Sequence, residues 1–338
     1  MNKIIYWQTT SKKTLYSYKV RVKIRLLLIA YGRNFLHNLI ILLLLSTTLW
    51  TTSTHAAVDL ESLNVFLKNE EANYTDIVDG AERQIRWFNG VEKTALSIIY
   101  LHGFSASRQE LSPVTETLAQ NLGANIYYAR LSGHGRSDDA MAEATVEKWL
   151  QQTTEAYEIG RTIGDKVIIV STSTGSTLAT WLLSQSTPDM LANIMVSPNF
   201  GAHSKMTGIL HWHWGIRVAK WLNGDYRSFE PISEKHAKYW TERYPTEALL
   251  PVFKLVKLVN SIEKSSTIPQ LVIYSPEDKV IAPEKVIATM AEYPKSSVTL
   301  NPFNNSTDPY NHVLAGDACS PESNEEMVTL MQQYIESL

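Results

Sequence analysis

The sequence is nearly devoid of cysteine, since Cys319 is the only one among 338 residues. A single thiol excludes an intramolecular disulfide, so the stability of the folded chain must come from packing. It also argues against a cysteine nucleophile, because Cys319 lies in the polar stretch GDACSPESN, with no strand before it to present a thiol. We therefore interpret Cys319 as a thiol without a catalytic role.

Acidic residues are absent from the first 56 positions, which carry eight Lys and Arg. This basic head precedes the apolar run LIILLLLSTTLW (39–50) and the small residues Thr54 and Ala56. These are the three parts of a secretory signal, and the run is shorter than the roughly 20 residues that span a bilayer. We predict a signal peptide over 1–56, a secreted or periplasmic protein and no stable membrane insertion after processing. An uncleaved membrane anchor and an organelle transit peptide are the alternatives.

The rest of the chain lacks a basic excess. Residues 57–338 contain all 34 Asp and Glu but only 23 of the 31 Lys and Arg. A nucleic-acid partner requires a basic face that neutralises phosphates. The charge balance therefore argues against nucleic acid as a partner.

Short apolar runs rich in Ile, Val and Tyr alternate with segments of helical spacing beyond Ala57, and there are no internal repeats. The runs predict strands at 84–88, 95–101, 125–129, 166–170, 193–197, 270–274 and 297–300, and the spacing predicts helices at 111–122, 146–163, 176–183, 286–293 and 324–338. Ser323 is the expected N-cap of the last helix, with Glu326 three residues further on. This alternation predicts an α/β fold with a mostly parallel sheet covered by helices on both faces.

One interval interrupts the alternation. Residues 201–268 contain aromatic and helical segments but no convincing strand, which predicts a helical cap over the strand ends; additional packing on the flank of the sheet is the alternative. The expected domains are a signal peptide (1–56), a core in two parts (57–200 and 269–338) and the cap or lid (201–268).

The stretch KVIIVSTSTGSTLAT (166–180) places Ser173 on a turn between a strand and a helix. Such a sharp turn needs small residues two positions before and after its centre, and Ser171 and Gly175 meet that need, although glycine is usual at the first position. The turn lifts the Ser173 hydroxyl above the edge of the sheet and brings the Thr174 amide to a helix N-terminus, where it can stabilise a developing negative charge. A merely structural Ser/Thr-rich turn is the alternative.

A serine hydroxyl needs a base, and the base needs a carboxylate that fixes its tautomer. His312 follows the last predicted strand, and Asp278 follows the strand QLVIY, with Glu277 as the alternative acid. The order Ser173, Asp278, His312 is that of the α/β-hydrolase fold. His134 is the alternative base, and Ser171 and Ser176 are less suitable nucleophiles because they lie off the apex of the turn.

Five segments in this order resemble the α/β-hydrolase family, and within it the capped esterases and monoacylglycerol lipases: YLHGFSAS (100–107), RLSGHGRS (130–137), STSTGS (171–176), PQLVIYSPEDKVI (269–281) and NHVLAG (311–316). The resemblance covers 75–338 and implies an eight-stranded sheet. It also implies that the backbone amide of Phe104 is the second oxyanion donor and that His102 and His134 are structural. It implies no metal or cofactor. The i, i+2 spacing of His211 and His213 predicts different faces of a helix, which argues against a metal pair.

These observations favour a carboxylic ester hydrolase that acts on a small-molecule or lipid-like ester. Peptidase, amidase or acyl-transfer chemistry on the same triad is the alternative, with acidic groups for a substrate amine at 69–71, Glu242 or Glu247; a non-catalytic binding protein is the third hypothesis. An acyl pocket lined by Met206, Trp212, Trp214 and Trp221 is expected under the cap, unless these side chains only pack its core.

Overall fold

The computed structural model describes residues 60–203, Lys220 and residues 224–338. Their centre is a seven-stranded sheet in the order β1-β3-β2-β4-β5-β8-β9, in which only the β1–β3 pair is antiparallel. The strands, including the two of a separate hairpin, are β1 (Gln84–Arg86), β2 (Thr94–Leu101), β3 (Asn125–Tyr128), β4 (Gly164–Thr172), β5 (Met190–Val196), β6 (Tyr226–Ser228), β7 (Arg243–Pro245), β8 (Gln270–Tyr274) and β9 (Val298–Pro302).

Helices separate most of these strands, as parallel neighbours require. They are α1 (Leu60–Glu71), α2 (Val114–Leu122), α3 (Val146–Ile163), α4 (Thr174–Leu182), α5 (Glu234–Tyr239), α6 (Leu249–Ser261), α7 (Pro283–Met290) and α8 (Asn324–Glu336). None of the helices in the described part of the chain is long and apolar enough to cross a bilayer.

The core lies on both faces of the sheet, because side chains alternate along each strand. On β2, Ile99 and Leu101 join a cluster that includes α1, α3, α4, α6 and α7. Ile98 and Tyr100 join the opposite cluster, which includes α2 and α8. The predicted α/β class, with a mostly parallel sheet covered on two faces, is confirmed.

Three sequence expectations require correction. The sheet of the described residues has seven strands, the seven that the apolar runs predict, and not the eight that the resemblance implies. The interval 201–268, expected to contain no strand, includes the antiparallel hairpin β6–β7 as well as helix α6. These strands have three residues each, which is too short for a periodic signal in the sequence. Ser323 occupies the expected N-cap position of α8, but its side chain makes no capping hydrogen bond and instead donates to the Asn305 carbonyl at 2.6 Å.

The register places the functional segments at one edge. Leu101 at the end of β2 pairs with Ser171 near the end of β4, and Val196 at the end of β5 pairs with Ile273 of β8. The loops that follow these strands therefore leave the same carboxyl edge of the sheet, where ligands of open α/β sheets bind.

Candidate active site

Ser173 is the apex of the turn between β4 and α4. Its backbone has φ 49° and ψ −112°, a conformation that costs a non-glycine residue energy and persists only where the surroundings impose it. The close approach of α4 to β2 imposes this conformation. At Gly175 the two elements are so close that a Cβ atom would lie 2.0 Å from the Leu101 carbonyl oxygen. Ser171 replaces the usual glycine without a clash, and its hydroxyl, 3.1 Å from that of Ser176, also donates to the Ile194 carbonyl at 3.2 Å.

The structure brings the three side chains of the expected triad together. His312 Nε2 lies 3.1 Å from Ser173 Oγ, and His312 Nδ1 lies 2.8 Å from Asp278 Oδ2. With Nδ1 donating to the carboxylate, Nε2 keeps a lone pair that faces the serine hydroxyl. This arrangement can move a proton from oxygen to nitrogen, although the catalytic role of the three residues stays a prediction.

Asp278 is positioned by the backbone around it. Its Oδ1 accepts hydrogen bonds from the Val280 and Ile281 amides at 2.8 and 2.9 Å, which leaves Oδ2 for the imidazole. The neighbouring Glu277, the alternative acid, is exposed, and no hydrogen bond joins its carboxylate to His312 among the described residues.

Two residues that were not predicted from the sequence hold the loop around His312 in place. Asp308 accepts hydrogen bonds through its carboxylate from the Tyr310, His312 and Val313 amides, at 2.9–3.1 Å. The Ser197 hydroxyl, at the end of β5, donates to the His312 carbonyl at 2.7 Å. The stretch DPYNH contains a signal for the first, because Asp commonly bonds amides two residues ahead in turns. No local pattern identifies the second.

The electrostatics of His312 are set by two opposing effects. Burial is the largest single effect and lowers the pKa of the imidazole, but the charge of Asp278, the hydrogen bond to it and the neighbouring carboxylates together raise the pKa above its ordinary value. These neighbouring carboxylates are those of Glu110 and Asp308. The surroundings therefore favour the imidazolium ion that forms when His312 accepts a proton.

The expected oxyanion donors, the amides of Phe104 and Thr174, belong to the loop after β2 and to the first position of α4. Thr174 is at a helix N-terminus, where N–H groups have no partner within the helix. The peptide between Gly103 and Phe104 is held through the Gly103 carbonyl, which accepts from His102 Nδ1 at 2.9 Å and from the Ala106 amide at 3.4 Å. Because a trans peptide is planar, fixing this carbonyl also fixes the opposite direction of the Phe104 N–H.

His102 therefore braces this loop through a defined tautomer. Its Nε2 accepts a hydrogen bond from the Leu131 amide at 3.1 Å, so Nδ1 carries the proton that it donates to Gly103. Burial lowers the pKa of His102 to about 4, which keeps the ring neutral. His134, the alternative base, packs against His102 and Phe104, and burial holds its pKa well below the usual value.

Backbone strain concentrates at this edge. The non-glycine residues with positive φ in the described part of the chain are Ser105, Ser173, Ser197 and Asn311. They lie respectively in the loop 102–107 that carries the expected oxyanion donor Phe104 (the oxyanion loop), at the apex of the turn, just after β5 and next to His312. Such clustering is typical of functional sites, where the fold holds unfavourable conformations in place.

A cavity of about 720 Å³ opens beside Ser173, within the range of small-molecule sites. Its aromatic and aliphatic lining comes from the oxyanion loop and the cap, and includes Phe104, Phe229, Trp240, Tyr244, Val252 and Phe253. Cys319 also lines it, and burial raises the pKa of its thiol. Met206, Trp212, Trp214 and Trp221, the expected pocket residues, lie outside the described residues.

The described sheet, its helical layers and a serine at a strand-to-helix turn define the class: this is an α/β hydrolase. Residues 92–307 match the family model described as serine aminopeptidase, S33, and the chain belongs to this family. The resemblance to α/β hydrolases predicted from the sequence is thereby confirmed. A comparison with curated proteins finds no significant match.

Solved structures share the fold at low sequence identity. One of two metagenome-derived lipolytic enzymes is 18% identical, with a TM-score of 0.63 over 78% of this chain and 100% of that one. Monoacylglycerol lipase from Paleococcus ferrophilus is 15% identical, with a TM-score of 0.54 over 75% of this chain and 98% of that one. A soluble variant of monoglyceride lipase from Saccharomyces cerevisiae is 11% identical, with a TM-score of 0.57 over 76% and 91% respectively.

Proposed function

We propose that this protein is a serine hydrolase that cleaves carboxylic esters of apolar acids. The observation that carries the proposal is the hydrogen-bonded series Ser173, His312 and Asp278 at the wall of a largely apolar cavity. Several solved structures of the same fold are described as lipases or lipolytic enzymes, which supports the same substrate class.

In the first half of the reaction, His312 Nε2 takes the proton of Ser173 as Oγ attacks the acyl carbonyl carbon. The carbonyl π electrons move to oxygen, where the Phe104 and Thr174 amides donate hydrogen bonds to the oxyanion. The oxyanion collapses, the bond to the alkoxy group breaks, and the imidazolium returns its proton to the leaving alcohol. The product of this half is an acyl ester on Ser173.

Water completes the reaction by the same route. His312 accepts a proton from the water, whose oxygen attacks the acyl carbon, and the same two amides stabilise the second oxyanion. The Ser173 oxygen then leaves with the proton from His312, and the carboxylic acid is released. Asp278 remains ionised throughout and keeps the imidazole proton on Nδ1.

The family description raises peptide hydrolysis as the second candidate function. An aminopeptidase needs a carboxylate for the substrate's ammonium group. The acidic residues expected for this role, at 69–71, Glu242 and Glu247, are not among the described residues that line the cavity. Glu71 pairs with Arg83 and Arg130, and Glu247 pairs with Lys220. Glu230 does line the cavity, but alongside Arg227, Lys257 and Lys285. This balance of charge favours esters over free amino termini.

Two measurements test the proposal. A fluorophosphonate probe should label the wild-type protein on Ser173, and absence of the adduct would favour a non-catalytic binding protein. Hydrolysis of p-nitrophenyl esters of rising chain length should exceed that of aminoacyl naphthylamides, with about a fourfold gain in kcat/KM for each buried methylene until the cavity is full. A preference for the naphthylamides would support the peptidase instead, and transfer of the acyl group to an added alcohol would reveal acyl-transfer activity.

The N-terminal signal peptide belongs to the same proposal. Residues 1–56 lie outside the described residues, so export rests on their sequence pattern alone. N-terminal sequencing of protein from its native cells should find a start near Ala57; an intact N-terminus on membrane-associated protein would favour the uncleaved anchor.

A further inference from the structure

A buried carboxylate lies directly behind the oxyanion loop. Glu110 belongs to the short 3₁₀ helix Arg108–Leu111 and is 2% exposed. Its Oε2 accepts hydrogen bonds from the Gly103 amide at 2.7 Å and from the Tyr100 hydroxyl at 3.0 Å. Burying a carboxylate is costly unless it is paired or hydrogen-bonded, and both of these hydrogen bonds reduce that cost.

We propose that Glu110 is a positioning residue of the oxyanion loop, which holds the Gly103 N–H and thereby orients the Phe104 N–H. This inference rests on the proposed function of that loop. Two successive peptide planes flank Gly103. Glu110 holds the plane before Gly103 by accepting from the Gly103 N–H. His102 holds the plane after Gly103 by donating to the Gly103 carbonyl.

Gly103 is the residue that needs such restraint. Glycine has the largest backbone freedom of all residues, so a loop that turns on it is not fixed by local sterics. A larger residue would not fit, because a Cβ atom there would lie 2.7 Å from Glu110 Oε1 and 3.3 Å from Ser173 Cβ. The loop thus combines a flexible residue with an external hydrogen bond that removes its freedom.

Glu110 is also connected to the other two loops of the site, through its carboxylate on one side and its backbone on the other. The Tyr100 hydroxyl joins Glu110 to the Thr172 hydroxyl, 3.0 Å away, in the residue before Ser173. On the opposite side, the backbone of Glu110 abuts the segment after His312, since a Cβ atom on Gly316 would lie 2.2 Å from the Glu110 carbonyl oxygen. Displacement of Glu110 would therefore disturb the oxyanion loop relative to both reacting side chains.

The charge state of Glu110 also matters. Burial raises its pKa to about 7, although the Gly103 amide, the Tyr100 hydroxyl and the charge of His312 lower it. Titratable groups near it include Tyr100 and Cys319, whose pKa values Glu110 helps to raise, and His102, which stays neutral. A hydrogen bond to an ionised acceptor is roughly twice as strong as one to a neutral acceptor. Protonation of Glu110 near neutral pH would thus loosen the restraint on Gly103.

The test compares Glu110→Gln with Glu116→Gln. Glu116 is a nearby glutamate that accepts hydrogen bonds from Ser112 and Thr115 and has none to the oxyanion loop among the described residues. Removal of one oxyanion donor costs about 100- to 1,000-fold in kcat, so a misdirected donor in Glu110→Gln should cost about 10- to 100-fold, with KM within about twofold. Affinity for a trifluoromethyl ketone, which forms an oxyanion on Ser173, should fall in parallel, whereas Glu116→Gln should change neither.

A third readout does not depend on activity. Hydrogen exchange of the Gly103 amide should accelerate about tenfold or more in Glu110→Gln, since a buried charge-assisted hydrogen bond is weakened. If the wild type hydrolyses esters and Glu110→Gln matches it in kcat and ketone affinity, Glu110 is not a positioning residue. If the wild type is neither active nor labelled, the proposed function fails, and unchanged exchange at Gly103 would then overturn the restraint as well.

Discussion

The edge of the sheet that carries Ser173 (the core edge) and the predicted cap differ in how their polar groups are held. At the core edge, Asp278, His312 and Glu110 each make short hydrogen bonds to groups from other segments. In the cap, Arg227 and Lys257 line the same cavity and are exposed, and no ion pair to them occurs within the described residues. The core edge holds its polar groups in a fixed geometry, whereas the predicted cap presents exposed charges at the cavity.

The two regions also differ in charge. Residues 201–268 carry ten Lys and Arg against six Asp and Glu, while the remainder of 57–338 carries 13 against 28. On electrostatic grounds, we expect the basic excess of 201–268 to attract an anionic substrate group towards the cavity without taking part in bond cleavage. We therefore expect changes at the core edge to alter kcat, and changes in the predicted cap to alter KM and substrate preference.

The largest effect is expected from Ser173→Ala. Without the nucleophile, the acyl-enzyme cannot form, so ester hydrolysis should fall by about 10⁴-fold or more. Steady-state kinetics on a short p-nitrophenyl ester measures the loss. Ser184→Ala, an exposed serine just beyond α4, is the control and should retain full activity. Comparable turnover in the two variants would show that Ser173 is not the nucleophile and that the core edge does not catalyse the reaction.

Asp278→Asn should cost about 10³- to 10⁴-fold, because the amide no longer keeps the proton on His312 Nδ1. It also alters the pH profile. In the wild type, burial lowers the pKa of His312, but Asp278 and the neighbouring carboxylates outweigh burial and raise the pKa above its ordinary value. Activity is therefore lost as pH falls through this raised pKa. The variant's residual activity should persist to lower pH. Glu277→Gln, the matched control, should leave both rate and profile unchanged; a reversed result would make Glu277 the acid.

In the cap, Phe253→Ala should act on substrate length. Phe253 on α6 lines the cavity, so its removal should lower kcat/KM for long acyl chains about tenfold through KM, with little change for acetate esters. A chain-length series on the variant and on Lys254→Ala, its exposed neighbour on the same helix, measures the effect. Equal losses for short and long chains would mean that the cap contributes to the chemistry itself.

The smallest effect is expected from Lys257→Gln. An exposed charge is screened by salt and contributes little, so KM for an ester with a distal carboxylate should rise about two- to threefold. A neutral ester of equal length should be unaffected, and 0.5 M salt should reduce the wild-type difference about as much as the substitution does. An effect of about 100-fold would indicate a fixed ion pair and contradict the contrast between cap and core.

Much of the fold was predictable because strands and helices have local signatures. The seven apolar runs correspond to the seven strands of the main sheet, and the turn at Ser173 follows from small residues between a strand and a helix. The hairpin β6–β7 was missed because three-residue strands carry no periodicity.

The supporting residues of the site were less predictable. Ser197 bonds the carbonyl of a residue 115 positions away, and Glu110 bonds a backbone amide. Neither contact has a spacing rule, because a backbone group accepts or donates whatever its side chain. The candidate nucleophile, acid and base were identified from their order along the chain, which reports the succession of loops at one edge of a parallel sheet.

The sequence by itself determined the alternation of strands and helices, the uneven distribution of charge and the small residues around Ser173. Each of these depends on neighbours along the chain. Only the tertiary structure decided that Asp278 and not Glu277 bonds His312, that His102 holds its proton on Nδ1 and that a carboxylate lies behind the oxyanion loop. These are matters of hydrogen-bond direction between distant segments, and direction is fixed only when the segments are packed together.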